Sequence, residues 1–255
     1  MKIKLFFILF IAFCLFSCAP SQKKIQEQQE KDPQYQYKNS MLCMNYGLYD
    51  EALKYIKKTL ILDPQHFPSY NLQGLAYSSK NEKQEAIKSF QKCIEINPNF
   101  SEAHHNLGVV YEELGQIDQA EQEYKKAFEI DENYNASYQL AKIYYTQNKL
   151  ELALEYVDKS LNKFRMSLFA LNLKGLLLDR LGRSSEAIEY FLQALKIAPN
   201  EINMRFNLAY AYFNNKEYGK AKDILERLLK EAKDKKALDQ INELLKLIRE
   251  KVASA

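Results

Sequence analysis

The sequence predicts an all-α protein, a solenoid of helix-turn-helix hairpins, and three observations support this fold class. A hydrophobic fraction of 47% in 255 residues is enough for a packed core. Seven Gly and six Pro are too few for the frequent turns of an all-β architecture. Alanine also recurs at intervals of 33 or 34 residues across most of the chain. A fixed period of this length is typical of arrays in which each unit is a pair of helices.

Charge and residue content argue against nucleic acid, metal, cofactor and catalytic function. The 36 Lys and Arg residues nearly balance the 33 Asp and Glu residues, and no dense basic block suggests a phosphate-binding surface. The adjacent His104 and His105 would point about 100° apart on one helix, so they cannot share a metal ion. No Gly-x-Ser-x-Gly, Cys-x-x-Cys, His-Glu-x-x-His or Walker sequence is present. We therefore expect no enzyme activity, no cofactor, no metal site and no small-molecule substrate.

The N-terminal segment has the layout of an export signal. Residues 1–4 are basic, and the apolar run over residues 5–16 is shorter than the ~20 residues that span a bilayer. The run ends in Ser17 and Cys18, and this junction resembles the bacterial lipobox, whose cysteine is lipidated and becomes the mature N-terminus. The resemblance implies a signal peptide over residues 1–17 and a lipid anchor at Cys18. A plain signal peptide with an incidental cysteine, or a membrane anchor, is the alternative.

Residues 18–32 are predicted to form the lipidated cysteine and a flexible tether. After Cys18, Ile25 is the one long apolar side chain in a segment rich in Gln, Glu and Lys. A flexible chain of this length spans roughly 20 Å, enough to hold a domain just off a membrane surface. A helical extension of the first repeat is the competing interpretation for the Gln/Glu/Lys-rich half.

Six repeats of 33 or 34 residues are predicted to fill residues 33–235. Counting each recurring alanine as position 20 gives repeats over 33–66, 67–100, 101–133, 134–167, 168–201 and 202–235. Positions that were not used for this count then agree among the repeats. Position 8 is always small, with Ser40, Gly74, Gly108, Ala141, Gly175 and Ala209. Position 24 is always large, with Ile56, Phe90, Tyr124, Val157, Phe191 and Leu225.

This pattern resembles the tetratricopeptide repeat, and the resemblance covers residues 33–235 and implies a right-handed solenoid. Antiparallel helices cross closely only where both backbones carry small side chains, so positions 8 and 20 are predicted to face each other. Large residues at positions 11 and 24 would fill the space beside them. The first repeat departs from the pattern, because polar Gln36 and Asn39 occupy usual core positions. We expect this repeat to be either a solvated end or a partner surface.

The last segment, residues 236–255, is predicted to be a capping helix and tail that close the solenoid. Its apolar residues form one stripe at helical spacing: Ala237, Leu238, Ile241, Leu244, Leu245 and Ile248. Charged residues lie opposite, as expected for a helix that covers the last hairpin and faces solvent. An amphipathic membrane helix or a coiled coil is disfavoured, because the stripe is short and the exposed face is mixed in sign.

A concave groove lined by the first helix of each hairpin is the predicted binding surface for a protein or peptide partner. In tetratricopeptide families the exposed groove positions are roughly 2, 5, 9 and 12, and the resemblance transfers this role residue by residue. In the first three repeats the groove residues are Tyr37, Asn71, Leu75, His105 and Val109. In the last three they are Tyr138, Lys142, Tyr145, Phe169, Asn172, Leu176, Phe206, Tyr210 and Phe213. Whether the capping helix covers Phe206, Tyr210 and Phe213 is left open.

The order of lipobox, short tether and six repeats is similar to that of the PilF/PilW-type lipoproteins. These are pilotins that help the outer-membrane secretin of the type IV pilus to localise and multimerise. The resemblance implies a non-catalytic protein-binding scaffold, anchored by lipid to the periplasmic face of the bacterial outer membrane, with a pilus secretin as partner. A periplasmic lipoprotein adaptor for cell-wall hydrolases or proteases is the alternative, and no motif in the sequence separates the two.

Overall fold

The computed structural model describes residues 27–253, and this part of the chain is built from α-helices without a β-strand. From residue 33 onward the helices, numbered in chain order, are α1 Pro33–Asn45, α2 Tyr49–Leu62, α3 Phe67–Ser79, α4 Lys83–Ile96, α5 Ser101–Glu113, α6 Ile117–Asp131, α7 Tyr134–Thr146, α8 Leu150–Lys163, α9 Leu168–Arg180, α10 Ser184–Ile197, α11 Ile202–Asn214, α12 Tyr218–Glu231 and α13 Lys235–Ala253. Helices α1 and α2, α3 and α4, α7 and α8, α9 and α10, and α11 and α12 pack as pairs. The predicted all-α fold class is confirmed.

The two helices of each pair are joined through one residue in the left-handed backbone region. The angle φ lies between 59° and 77° at Gly47, Asn81, Gly115, Asn148, Gly182 and Lys216. All six occupy position 15 of their repeats, just after the first helix. Glycine and asparagine tolerate this conformation better than other residues, which explains why five of the six are Gly or Asn.

The chain divides after Val110 into two compact units. In the unit that ends at Val110, the core consists of small and large apolar side chains, including Ala52, Ile56, Ala76, Ala86, Phe90, Cys93, Ala103 and Leu107. Gly74 of α3 faces the ring of Phe90 of α4. A Cβ atom added to Gly74 would lie 2.5 Å from Cε1 of Phe90, so only glycine fits there without a shift of the ring.

In the unit that begins at Tyr111, the same contact joins Gly175 of α9 to Phe191 of α10. A Cβ atom on Gly175 would lie 2.6 Å from Cε1 of Phe191, and the other nearest atoms belong to the same ring. The nearest neighbour of position 8 is therefore the ring at position 24, not the alanine at position 20 that we predicted. Ala187, at position 20, is fully buried beside this contact in the core of the same hairpin. The aromatic ring fills the space that the absent glycine side chain leaves.

Helix α13 closes the second unit, as predicted. Its buried residues Ile241, Leu244, Leu245 and Ile248 form one cluster with four buried residues of α11 and α12, namely Ala209, Ala221, Leu225 and Leu228. The stripe read from the sequence is thus an internal packing surface. Removing it from water on folding stabilises the hairpin of α11 and α12, which α13 covers.

The N-terminal predictions lie mostly outside the described residues, which exclude 1–26. This holds for the signal peptide over residues 1–17, for the lipidation site Cys18 and for most of the tether. Residues 27–30 are helical, and the carbonyl of Glu30 accepts a hydrogen bond of 3.0 Å from Nε2 of Gln36. Gln36 is buried, so this polar residue at a core position of the first repeat contacts the preceding helical segment. Among residues 27–253, no helix combines the length and apolar character needed to cross a bilayer.

Candidate functional site

The candidate site lies on the first helices of the second unit, α7, α9 and α11. Helix α9 contacts both α7 and α11, so groove positions on the three helices lie in neighbouring rows. The predicted groove residues on them are Tyr138, Lys142, Tyr145, Phe169, Asn172, Leu176, Phe206, Tyr210 and Phe213. None of these is buried, and two aromatic side chains stand out, with Phe169 64% and Tyr210 45% exposed. The arrangement offers a row of accessible aromatic and amide groups.

A carboxylate holds the polar groups at the α7 side of the site. Glu112 accepts a hydrogen bond of 2.8 Å from the hydroxyl of Tyr124 and one of 2.9 Å from Nζ of Lys142. Burial, reinforced by the charge of Glu112, raises the pKa of Tyr124, so its phenol stays protonated and donates. The same two causes raise the pKa of Tyr138. Because Glu112 balances Lys142, this end of the groove presents little net charge.

Amide and carboxylate side chains tie α9 to α11. Nδ2 of Asn207 donates to Oδ1 of Asn172 at 3.0 Å, and Nδ2 of Asn214 donates to Oδ2 of Asp179 at 2.8 Å. The hydroxyl of Ser184 donates to the other oxygen of Asp179 at 2.6 Å. Hydrogen bonds to a charged carboxylate are the stronger kind, so they fix the relative position of the two helices.

The ring of Tyr145 is held by a cation from the neighbouring helix. The guanidinium carbon of Arg180 lies 4.9 Å from the centre of this ring. Nη2 of Arg180 also donates to Oδ1 of Asn148 at 2.9 Å, which orients the guanidinium. A cation over an aromatic face contributes about 0.5–1 kcal/mol at an exposed site, so Arg180 orders the partly exposed ring of Tyr145.

Helix α13 covers Phe206 and Phe213 in part and leaves Tyr210 accessible. Phe206 and Phe213 are half-buried and pack against the cluster that contains Ile241 and Leu245. Phe206 also lines a cavity of about 220 Å³ between α11 and α13. The ring of Tyr210, at 6.3 Å from that of Phe213, stays exposed. Of the three residues, Tyr210 is therefore the best candidate for contact with a partner.

The predicted groove residues of the first unit are also partly exposed: Tyr37, Asn71, Leu75, His105 and Val109. Nδ2 of Asn106 donates to Oδ1 of Asn71 at 3.0 Å, which repeats the contact between Asn207 and Asn172 in the second unit. The ring of Tyr37 packs edge-on against that of His66, with centres 4.8 Å apart. This unit presents fewer exposed aromatic rings at its groove positions than the second unit does.

Three polar residues of the second unit were missed by the sequence analysis: Arg180, Asn207 and Asn214. They lie at positions 6 and 13, which the groove pattern does not assign. A signal for Asn207 was present, because asparagine recurs 35 residues after both Asn71 and Asn172. In both pairs an asparagine at position 6 of one repeat donates to an asparagine at position 5 of the preceding repeat. The two side chains therefore meet between neighbouring first helices.

Within residues 27–253, no cluster of three His, Cys, Asp or Glu side chains could hold a metal ion. His104 is buried, and its Nε2 donates to the carbonyl of Pro98 at 3.1 Å. His105 is half-buried and lies beside Asn106, with 3.4 Å between Nδ1 and Oδ1. The two adjacent histidines thus take part in separate contacts.

Four family models described as tetratricopeptide repeat match the chain. They cover residues 67–100, 89–122, 138–202 and 180–241, together well over half of its length. A curated relative, the TPR repeat-containing protein MJ1428 of Methanocaldococcus jannaschii, is 33% identical over 90 residues, or 35% of this chain. The match spans 15% of the length of that relative.

Solved structures share the fold at low sequence identity. PilW, described as a widely conserved type IV pilus biogenesis factor, superimposes with a TM-score of 0.69 at 17% identity, covering 82% of this chain and 97% of PilW. YrrB, described as a TPR protein with an unusual peptide-binding site, superimposes with a TM-score of 0.64 at 20% identity, covering 74% of this chain and 97% of YrrB. These similarities show a common fold of stacked helical hairpins.

Proposed function

Because the chain belongs to the tetratricopeptide-repeat family, we propose that it is a non-catalytic scaffold that binds a segment of a partner protein in the groove of its second unit. The proposal rests on the accessible aromatic rings of α7, α9 and α11, chiefly Tyr145, Phe169 and Tyr210. Aromatic side chains are enriched at protein interfaces because they bury a large apolar area at small entropic cost. Lys142 is paired with Glu112, and Arg180 and Asp179 are hydrogen-bonded within the protein, so we expect the partner segment to be apolar or aromatic.

The double substitution Tyr145→Ala and Tyr210→Ala should abolish most partner binding while the helices stay intact. Both rings are accessible and lie outside the buried core, so their loss leaves the hairpins packed. Truncating an aromatic anchor at an interface costs about 2 kcal/mol or more, roughly thirtyfold in affinity. Capture from detergent-solubilised cell envelope, with circular dichroism of the same preparations, measures both effects.

A matched control carries Leu192→Ala and Leu229→Ala. These leucines are also exposed and belong to the same unit, but they lie on the second helices α10 and α12. The control should capture as much partner as the unchanged protein. Equal loss in both double variants, or no loss in the groove variant, would contradict the groove assignment.

We further propose that the scaffold acts in type IV pilus biogenesis, as a pilotin of the outer-membrane secretin. The shared fold with PilW and the lipobox-like junction before the repeats support this assignment. The same envelope capture identifies the partner class. A secretin that is captured by the unchanged protein and lost with the groove variant supports the pilotin, whereas a hydrolase or protease in its place supports the periplasmic adaptor.

We propose that Cys18 is lipidated and anchors the protein at the periplasmic face of the outer membrane. The substitution Cys18→Ser should leave the protein unprocessed and unlabelled by radioactive palmitate, because the acylated sulfur is absent. Two or more acyl chains give stable anchoring at ~0.8 kcal/mol per buried methylene, so the variant should also leave the outer-membrane fraction. Cys43→Ser is the control and should keep both label and location. Label that persists on the Cys18 variant would overturn the proposal.

A further inference from the structure

The turn between α8 and α9 exposes several large apolar side chains close together. Phe164 is 48%, Met166 59% and Phe169 64% exposed, and residues 162–166 are all exposed without interruption. Single exposed apolar residues are common on any protein, but a contiguous group marks a contact with another surface. The proposed peptide groove does not explain Phe164 and Met166, which lie outside its positions.

Three equivalent turns carry small or polar residues at the two positions that Phe164 and Met166 occupy here. At positions 31–34 the chain reads DPQH over residues 63–66, NPNF over 97–100 and APNE over 198–201, but FRMS over 164–167. The helices on both sides of these turns begin and end at equivalent positions. Repeat packing therefore does not require apolar residues here, so Phe164 and Met166 need another explanation.

The turn is held in a defined shape by hydrogen bonds at both ends. The backbone N–H of Phe164 donates to the carbonyl of Ser160 at 2.9 Å, and that of Ser167 donates to the carbonyl of Phe164 at 3.3 Å. The hydroxyl of Ser167 accepts from the backbone N–H of Ala170 and begins α9. The ring of Phe164 is supported by that of Tyr134, with centres 5.6 Å apart. The exposed side chains thus project from a preformed turn.

Basic residues flank these apolar side chains in the sequence. Lys159, Lys163 and Arg165 lie within this stretch, and no acidic residue occurs between residues 159 and 169. Lys159 pairs with Glu155 at 2.6 Å and Lys163 with Glu132 at 2.7 Å, whereas Arg165 has no carboxylate partner in the described part of the chain. Apolar side chains at the tip of a turn, with the cation of Arg165 between them, match a bilayer surface, where acyl chains lie beneath anionic headgroups.

We propose that residues 162–166 form a membrane contact of the folded repeats, which inserts Phe164 and Met166 between anionic lipid headgroups and places Arg165 against a phosphate. This contact is separate from the lipid anchor proposed at Cys18, because it uses a turn in the second unit. It is also separate from partner binding, because Phe164, Arg165 and Met166 do not occupy groove positions. Its consequence is orientation: a protein held at this turn presents its groove at a fixed angle to the membrane.

A single introduced tryptophan reports on this contact, since the chain has none of its own. Met166→Trp places the reporter in the turn, and Asn200→Trp places it at an exposed position in the equivalent turn of the next repeat. The full chain is reconstituted in vesicles of phosphatidylethanolamine and phosphatidylglycerol whose acyl chains are brominated. The indole fluorescence of the Met166→Trp chain should be blue-shifted and quenched, whereas that of the Asn200→Trp chain should be neither. Equal quenching in the two chains, or an unshifted spectrum from the Met166→Trp chain, overturns the proposal.

The role of the cation is tested by adding Arg165→Gln to the Met166→Trp chain. One basic residue at an anionic surface contributes roughly fivefold to the binding equilibrium, so the ratio of quenched to unquenched reporter should fall by about that factor. Vesicles of phosphatidylcholine alone should give a similarly weak signal with and without Arg165→Gln. An unchanged ratio in anionic vesicles would exclude recognition of the headgroup charge. Circular dichroism of each variant checks that its helices are retained.

Discussion

The substitution Gly175→Leu is expected to lower the melting temperature by about 2–12 °C. A Cβ atom alone would lie 2.6 Å from Phe191 Cε1, and Phe191 is fully enclosed in the core, so its ring has no free space to enter. Overpacking of this kind costs ~1–3 kcal/mol, and a chain of this size loses roughly 2–4 °C for each kcal/mol. Thermal unfolding followed by circular dichroism measures the change.

Gly219→Leu is the control for this substitution. Gly219 is also helical and belongs to the same unit, but a Cβ atom there meets nothing within 4 Å. Its melting temperature should therefore change little, since exposed substitutions usually stay within about 0.5 kcal/mol. If the Gly175 variant melted like the Gly219 variant, the close contact between positions 8 and 24 would not exist.

The period of the alanines made the helical fold predictable from the sequence. The first helices begin at Pro33, Phe67, Ser101, Tyr134, Leu168 and Ile202, which are the residues from which the repeats were counted. Small and large side chains at fixed spacing decide which faces of two helices can meet, and this information is local to each repeat. The neighbour of Gly175 was nevertheless mistaken, because spacing alone does not say whether Ala187 or the ring of Phe191 approaches it.

The polar contacts of the groove could not be predicted in the same way. The bond between Tyr124 and Glu112 and that between Asn214 and Asp179 join residues 12 and 35 positions apart. Such bonds depend on the rotamers of both side chains and on the offset between neighbouring helices, which a repeat pattern does not encode. The exposure of Tyr210 beside half-buried Phe213 likewise depends on where α13 packs.

Deletion of the gene is expected to eliminate secretin multimers if the protein is a pilotin. A pilotin acts on the assembly of another protein, so its loss should leave monomeric or mislocalised secretin and no surface pili, with normal growth and cell shape. Secretin multimers on unboiled gels and twitching motility measure these two effects.

Complementation connects this phenotype to the groove. The unchanged protein and the Leu192→Ala/Leu229→Ala control should restore multimers, whereas the Tyr145→Ala/Tyr210→Ala variant should not, because it lacks two accessible rings of α7 and α11. A thirtyfold loss of affinity removes most of a complex whose concentration is near its dissociation constant, so the defect should approach that of the deletion. Intact multimers in the deletion strain would contradict the pilotin function, and altered cell shape or lysis would favour the adaptor for cell-wall hydrolases.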